Sequence, residues 1–330
     1  MSGVPAPFFE LIYEGTDISA DISSMVTEVS YTDHLHGKES EMTVTVHDKD
    51  GRWKSSWYPE IGSKMQLTIF DAEQRKLPCG LFELDQPNAS GGRDGDLMTI
   101  SGLAAPVTKP LRTQKTKAYE RINLADVVHE VAGRVGLGVM GEINDLFFER
   151  ITQRRERDLE FLKLLANETG HYFNLRGDFV VFTSFKSVDG RKASLEIAKA
   201  DVISYDFFFE STGTYSKGEA KYLDQNKGKL TRYEEVDPNI TTGDVLKISG
   251  ERLEGLAQAE ARVKSELHRA NRGKFSGSCD LVGNALAVAG NTVNLTGFGR
   301  YDGKRLIDSS THTLSRDGHE VSLELVDARA

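Results

Sequence analysis

The sequence predicts an α+β chain, mainly β, in which one β module occurs twice and an α+β segment stands between the copies. Three observations predict it: an internal repeat, period-two apolar patterning in both halves, and helical periodicity concentrated in the middle. The repeat joins "GSKMQLTIF" (Gly62 to Phe70) to "GNTVNLTGF" (Gly290 to Phe298), where Gly, Leu, Thr and Phe recur at one spacing and Val293 stands where Met65 stands. Further on, Gly80, Asp85 and Arg93-Asp94-Gly95 recur as Gly303, Asp308 and Arg316-Asp317-Gly318 with unchanged internal spacing. Phe70 and Gly80 lie ten positions apart while Phe298 and Gly303 lie five apart, a difference of the kind a surface loop tolerates.

The first hundred residues read as strands. In "MTVTVH" Met42, Val44 and Val46 face one way and Thr43, Thr45 and His47 the other; in "KMQLTIF" Met65, Leu67 and Ile69 alternate with Lys64, Gln66 and Thr68. Alternation of this length means half-buried strands. Asp-Gly pairs begin at Asp50, Asp94, Asp189, Asp302 and Asp317. Such pairs suit hairpin turns, whose central residues need positive φ, and short strands with such turns suggest sandwiches or barrels.

The middle changes period. "NLADVVHEVAGRVGL" puts Leu124, Val127, Val128, Val131, Ala132 and Val135 on one helical face, with Asn123 as N-cap and Gly136 as the stop. In "RDLEFLKLLANETG" Leu159, Leu162, Leu165 and Ala166 form a stripe widened by Phe161 and Leu164, and Gly170 ends the helix. "HYFNL" and "FVVF" then flank Arg176-Gly177-Asp178 as a hairpin. From about residue 200 the β pattern returns with one helix, 251–270, set into it. Leu253, Leu256, Val263 and Leu267 share its apolar face; Glu251 and Glu254 near the start and His268 and Arg269 near the end suit the helix dipole. The expected division is a first β module over 1–105, an α+β module over 106–195 and a second β module over 196–330.

Composition narrows the function. A chain of 330 residues has room for two or three domains. With 38% apolar and 28% charged residues it reads as a soluble globular protein, and its net charge of −9 argues against a nucleic-acid binder. No apolar run approaches the roughly 20 residues that span a bilayer, and "MSGVPAPFFELIYEG" lacks the regions of a secretory signal. The two cysteines, Cys79 and Cys279, form no metal spacing and read as reduced thiols of a protein folded in the cytoplasm.

Motifs of chemistry are weak. "GLGVMG" (Gly136 to Gly141) matches a dinucleotide loop in letters, but a helix precedes it where a strand should. "RGD" at Arg176 to Asp178 sits between two strands, where Gly-Asp is turn chemistry. "DKDG" (Asp48 to Gly51) places its glycine two positions too early for an EF-hand. His34 and His36 share a strand face with no further ligand cluster and read as solvated, and His129 points away from its helix's apolar stripe. Glu142, Asp145, Glu149 and Asp158 fall in a loop-rich region with nothing to fix a glycosidase separation, and no G-x-S-x-G nucleophile motif occurs. The expectation is therefore no catalytic residue, cofactor or metal. The basic run "KPLRTQKTKAYER", with Lys109, Arg112, Lys115, Lys117 and Arg121, reads as a solvated linker or as a docking strip for an acidic partner.

Five longer stretches stand out: "DKDGRWKSSWYPEIGSKMQLTIF", "CGLFELDQPNASGG", "LRTQKTKAYERINLADVVHEVAGRVGL", "ITQRRERDLEFLKLLANETGHYFNLRGDFVVF" and "AGNTVNLTGFGRYDGKRLIDSSTHTLSRDG". Together they resemble the late-control protein D family, the central hub of contractile phage tails and R-type bacteriocins, and the N-terminal hub part of the valine-glycine repeat proteins of type VI secretion. They cover nearly the whole chain in the family's order. "LAVAGNTVNLTGF" departs from the pattern by lacking the proline common before that glycine.

The resemblance implies two tube-like β-barrels with an α+β module between them, and a structural role as trimeric adaptor. Three chains with two barrels each would present six barrels to a six-fold tail tube and three-fold symmetry to a spike. It implies tail tube and baseplate proteins as partners, assembly into a virion tail or bacteriocin particle after synthesis in the bacterial cytoplasm, and neither specific nucleic-acid binding nor membrane insertion. Only Asp327 to Ala330 follow the closing strand, so the expected spike is a separate trimeric protein. The alternatives are a tail-associated peptidoglycan hydrolase and a spike-less type VI hub paralogue.

Overall fold

The alternating segments form strands that meet in one extended sheet. The computed structural model describes residues 6–93, 95–104, 113–224, 228–241, 243–249, 253 and 255–329. The N-terminal part holds β1 (Phe8–Tyr13), β2 (Thr16–Asp17), the single-turn α1 (Ser19–Ile22), β3 (Val26–His34), β4 (Glu41–His47), β5 (Lys64–Phe70), β6 (Lys76–Gly92) and β7 (Gly95–Leu103). The middle part holds β8 (Lys115–Asn123), α2 (Leu124–Arg134), β9 (Gly138–Met140), β10 (Phe147–Glu156), α3 (Asp158–Thr169), β11 (His171–Arg176), β12 (Phe179–Ser184) and α4 (Phe185–Asp189). Then follow β13 (Leu195–Ala198), β14 (Val202–Phe209), β15 (Tyr215–Asp224), β16 (Lys229–Val236), β17 (Asp244–Ile248), α5 (Leu256–Asn271), β18 (Phe275–Val282), β19 (Thr292–Thr296), β20 (Gly303–Ser315) and β21 (Gly318–Asp327).

Thirteen of these strands share one sheet, in the order β14-β18-β21-β20-β3-β4-β7-β6-β5-β1-β2, with β19 on β20 and β13 on β19. The repeat seen in the sequence is a repeat of register. In the first copy Met65 lies opposite Phe82 and Leu67 opposite Gly80; in the second Val293 lies opposite Arg305 and Leu295 opposite Gly303. The hairpins β6–β7 and β20–β21 are broken by bulges at the same place, Asp85 and Asp308. The repeated glycines have a common cause: Gly80 and Gly303 adopt φ of 108° and 118°, and Gly95 and Gly318 adopt 104° and 130°, values open essentially to glycine alone. The copies differ in what covers them, since β1 runs antiparallel to β5 but β13 runs parallel to β19.

Each copy has its own apolar core. Val29, Met42, Val44, Leu67 and Ile69 centre the first, and Val293, Leu295, Val321 and Leu323 centre the second. The middle part packs α2 and α3 against β8, β10 and the β11–β12 hairpin, with Val127, Val131, Leu162 and Ala166 fully enclosed. Helix α3 spans the expected residues and ends on Gly170 in the left-handed conformation. Asn123 caps α2 by position, without a side-chain hydrogen bond.

Four expectations are corrected. Leu164 is 41% exposed, so the apolar stripe of α3 is narrower than expected. The late helix begins at Leu256, which is 51% exposed, and Leu253 precedes it; Glu251 and Glu254 lie outside the described residues. Asp189-Gly190 ends α4 instead of forming a hairpin: Gly190 keeps a right-handed φ of −73° where a hairpin turn needs a positive one, and the buried Asp189 carboxylate accepts from Tyr172 and His268. His36 lies beyond β3 and is largely enclosed, its ring bonded on both nitrogens.

Candidate assembly surface

The seam between the two β modules is a ladder of β3 on β20. It runs antiparallel from His34 opposite Ser309 to Glu28 opposite Ser315. On the core side Val29 and Tyr31 meet Leu314 and His312, all buried. On the other side the hydroxyls of Thr32 and Thr311 lie 3.1 Å apart.

The middle part locks this seam. Arg176, at the start of the Arg-Gly-Asp turn, donates to the Asp33 carboxylate at 2.7 Å and to the Ala289 carbonyl at 3.0 Å. Its task here is internal. Burial pushes the Asp33 carboxyl above its usual range, and Arg176 opposes that shift. His36 accepts from the Phe173 amide at Nδ1 (2.9 Å) and so donates from Nε2 to Asn167 Oδ1 (2.8 Å), which fixes a neutral tautomer. Burial, the largest cause, takes its pKa down to about 4.

One face of the long sheet is polar across the seam. Opposed residues of an antiparallel pair share a face, so Thr99 and Ser101 of β7 continue into Thr43 and Thr45 of β4 and into Glu28, Ser30 and Thr32 of β3. Across the seam the same face continues through Thr311 and Thr313 to Ser322 and Glu320, then Asp280 and Ser204. The charged residues in this series, Glu28, Glu320 and Asp280, are all acidic.

The sheet ends in two edges that match the seam. Residues 86–92 of β6 correspond to 309–315 of β20, yet no strand among the described residues lies on their far side. β14 corresponds to β3: both carry a bulge one residue after their first, at Thr27 and at Ile203, and both pair next with an equivalent strand, β4 or β18. β14 also has a side with no strand on it among the described residues, and Ile203, Tyr205, Phe208 and Phe209 are 55%, 42%, 46% and 49% exposed.

The remaining sequence candidates are dispersed. Of the basic run, Lys109 and Arg112 lie outside the described residues. Lys115 donates to the buried Asp158 carboxylate at 2.5 Å, Lys117 pairs with Glu130, and Arg121 is exposed on β8. Asp158 is thus a structural acid, while Glu142, Asp145 and Glu149 are exposed. "GLGVMG" leaves α2 and enters β9, which lies parallel to β12. Cys79 and Cys279 are buried free thiols, and burial pushes both pKa values up, that of Cys279 to about 12. Among the described residues no group of three or more His, Cys, Asp or Glu is placed to hold a metal ion. No helix among them is long and apolar enough to cross a membrane. The open edges were missed in the sequence; the repeat was the signal that could have exposed them.

The fold has counterparts of known structure. The 43 kDa tail protein of prophage MuSo2 from Shewanella oneidensis superposes with a TM-score of 0.75 at 16% identity, over 98% of this chain and 99% of that one. The chain carries a phage-tail protein fold. The E. coli c3393 protein, described as a component of the type VI secretion system, shares this tail fold with a TM-score of 0.57 at 12% identity, over 92% of this chain and 73% of that one. In sequence, the probable baseplate hub protein of Escherichia phage 186 is 20% identical over 97% of this chain and 92% of its own length. No protein-family model matches the chain. The resemblance to contractile-tail hubs read from the sequence therefore meets a baseplate hub protein among the sequence relatives and tail and type VI secretion proteins among the solved structures.

Proposed function

We propose that this chain is the structural central hub of a contractile-tail baseplate, a trimeric adaptor between a six-fold tail tube and a three-fold spike. The observation that carries the reading is the seam of β3 on β20: two copies of one module already stand side by side within a chain, joined through a register that further copies can repeat. Identical subunits usually assemble with closed symmetry, and three chains of two modules supply six. The likeness to the hub protein of phage 186 over nearly all of both chains supports the same role. The role is structural, with a separate trimeric spike, tail tube and neighbouring baseplate proteins as partners, in a particle assembled after cytoplasmic synthesis. The exposed part of β8 around Arg121 is the candidate contact for an acidic partner.

Light scattering and class averages of the assembled particle test this. The expected result is three copies per hub, with a six-lobed face and a three-lobed face. A stable dimer or hexamer in the particle overturns it. Pull-down on this chain after co-expression with adjacent tail genes should bring down a second, spike polypeptide; complete functional tails with this hub and no such polypeptide overturn that part.

A further inference from the structure

We propose that β14 of one chain adds to the open 86–92 edge of β6 in the next copy, antiparallel and in the register that β3 takes on β20. The proposal deepens the hub reading, since it names the edges that a ring of this chain would use. It follows from the correspondence of positions. Glu28, Val29, Ser30, Tyr31 and Thr32 of β3 map onto Ser204, Tyr205, Asp206, Phe207 and Phe208 of β14 through their equivalent partners on β4 and β18. β20 maps onto β6 with the shared bulge at Asp308 and Asp85. Transferring the seam gives Phe209 opposite Pro87, Phe208 opposite Asn88, Phe207 opposite Ala89, Asp206 opposite Ser90, Tyr205 opposite Gly91 and Ser204 opposite Gly92.

Burial shows what each edge lacks. Ser310 and His312 of β20, opposite Asp33 and Tyr31 of β3, are 0% exposed, whereas their counterparts in β6, Pro87 and Ala89, are half-buried and exposed. Val29 is 0% exposed, whereas its counterpart Tyr205 is 42% exposed. Among the described residues neither edge has a strand on its open side, and an open strand edge is a template for another strand.

The side chains fit as well. The core-side row of β14 is Tyr205, Phe207 and Phe209, and the row it would face is Gly91, Ala89 and Pro87. Large rings against small residues fill one layer without overlap, and an aromatic residue covering a strand glycine is a known stabilising pair. The polar rows would join too, Asp206 to Ser90 and Ser204 to Gly92. Pro87 lacks an N–H and belongs at an edge, where the new ladder loses one bond at most. Because the two patches differ, the contact is head-to-tail, and such contacts yield either rings or open filaments.

Cysteine pairing tests the register. Thr32 and Thr311 touch across the internal seam, so the equivalent intermolecular pair is Phe208 with Asn88. Both are exposed, so the double variant Asn88→Cys/Phe208→Cys keeps its core, and the native thiols are buried. On oxidation it should give a covalent three-chain band on non-reducing gels. Either single variant, and the opposite-face control Ala89→Cys/Phe208→Cys, should give none. Absence of the Asn88–Phe208 bond overturns the proposal, as does equal bonding in the control. Light scattering of the wild-type chain is read separately: a trimer without this disulfide sinks the strand pairing and leaves the hub reading standing. A disulfide-linked ladder running past three chains supports the pairing and sinks the closed ring.

Discussion

Acid should weaken this protein through histidines held neutral inside it, and His171 is the cleanest case. It is 0% exposed and rests on Phe182 at 4.7 Å between ring centres. Its Nε2 accepts the Asn144 amide at 3.0 Å, so the proton sits on Nδ1 and is donated to Thr169 Oγ1 at 2.9 Å; that hydroxyl in turn donates to the Leu165 carbonyl at 2.7 Å. A second ring proton would have to displace a backbone donor in a dry site. Burial accordingly lowers the pKa from 6.5 to about 4. With the folded pKa depressed, the unfolded chain binds more protons below pH 6.5, so stability is complete above that pH and is lost progressively towards pH 4. At pH 5 almost all unfolded chains and about a tenth of folded ones carry the proton, a loss of about 2 kcal/mol. The assay is urea unfolding of the wild type and His171→Gln at pH 7.5 and 5.0. The stability advantage of the wild type should shrink by about 2 kcal/mol between the two. Asp33, Glu324 and Asp327, whose pKa values burial raises, act in the opposite sense, but they are common to both proteins and cancel. An advantage that is the same at both pH values would refute the argument.

Gly80→Ala and Gly303→Ala should each cost about 1–3 kcal/mol from backbone strain; an added Cβ would meet nothing nearer than 3.8 Å at either site, so matched losses in thermal unfolding are expected and one silent site would deny the equivalence. Leu162→Ala, at a fully buried position of α3, should cost about 2–5 kcal/mol in denaturant unfolding, and a near-zero value would mean an exposed helix. Lys115→Met leaves the buried Asp158 carboxylate with Gln153 at 3.1 Å and Arg134 at 3.5 Å. The loss should be ~2 kcal/mol, below that of a buried pair broken outright, and should vanish on adding Asp158→Asn; a loss that persists in the double variant counts against the ion pair.

What could be read locally was read well. The repeat was visible because its glycines answer to backbone angles that other residues strain to adopt, and Gly170 marked the end of α3 for the same reason. The paired strands β11 and β12 were legible from a turn between two apolar runs. The β3–β20 seam was not, since Ser, Thr and Val at an edge do not encode which distant edge they will meet. The small sheet of β15, β16 and β17 escaped because its strands carry charge on much of their length. His36 looked solvated from its neighbours in sequence; its burial comes from Phe173 and Asn167, more than a hundred residues away. Leu164 and Leu256 show the converse: periodicity ranks apolar positions, but packing decides which are covered.

Phe209 and Phe275 lie opposite one another on β14 and β18, so residues 210–274, with their own sheet and α5, depart from and rejoin the long sheet across a single rung. The first copy closes the same gap with the short link 35–40 between β3 and β4. Sheet continuity is thus indifferent to how much polypeptide is hung at that point. Such a site is a socket: an appendage can be enlarged, exchanged or trimmed there while the ladder on either side keeps step. In a ring of alternating copies the appendages would recur at every second position. Near-identical sheets with appendages at half their frequency would then come from one gene by loop growth alone.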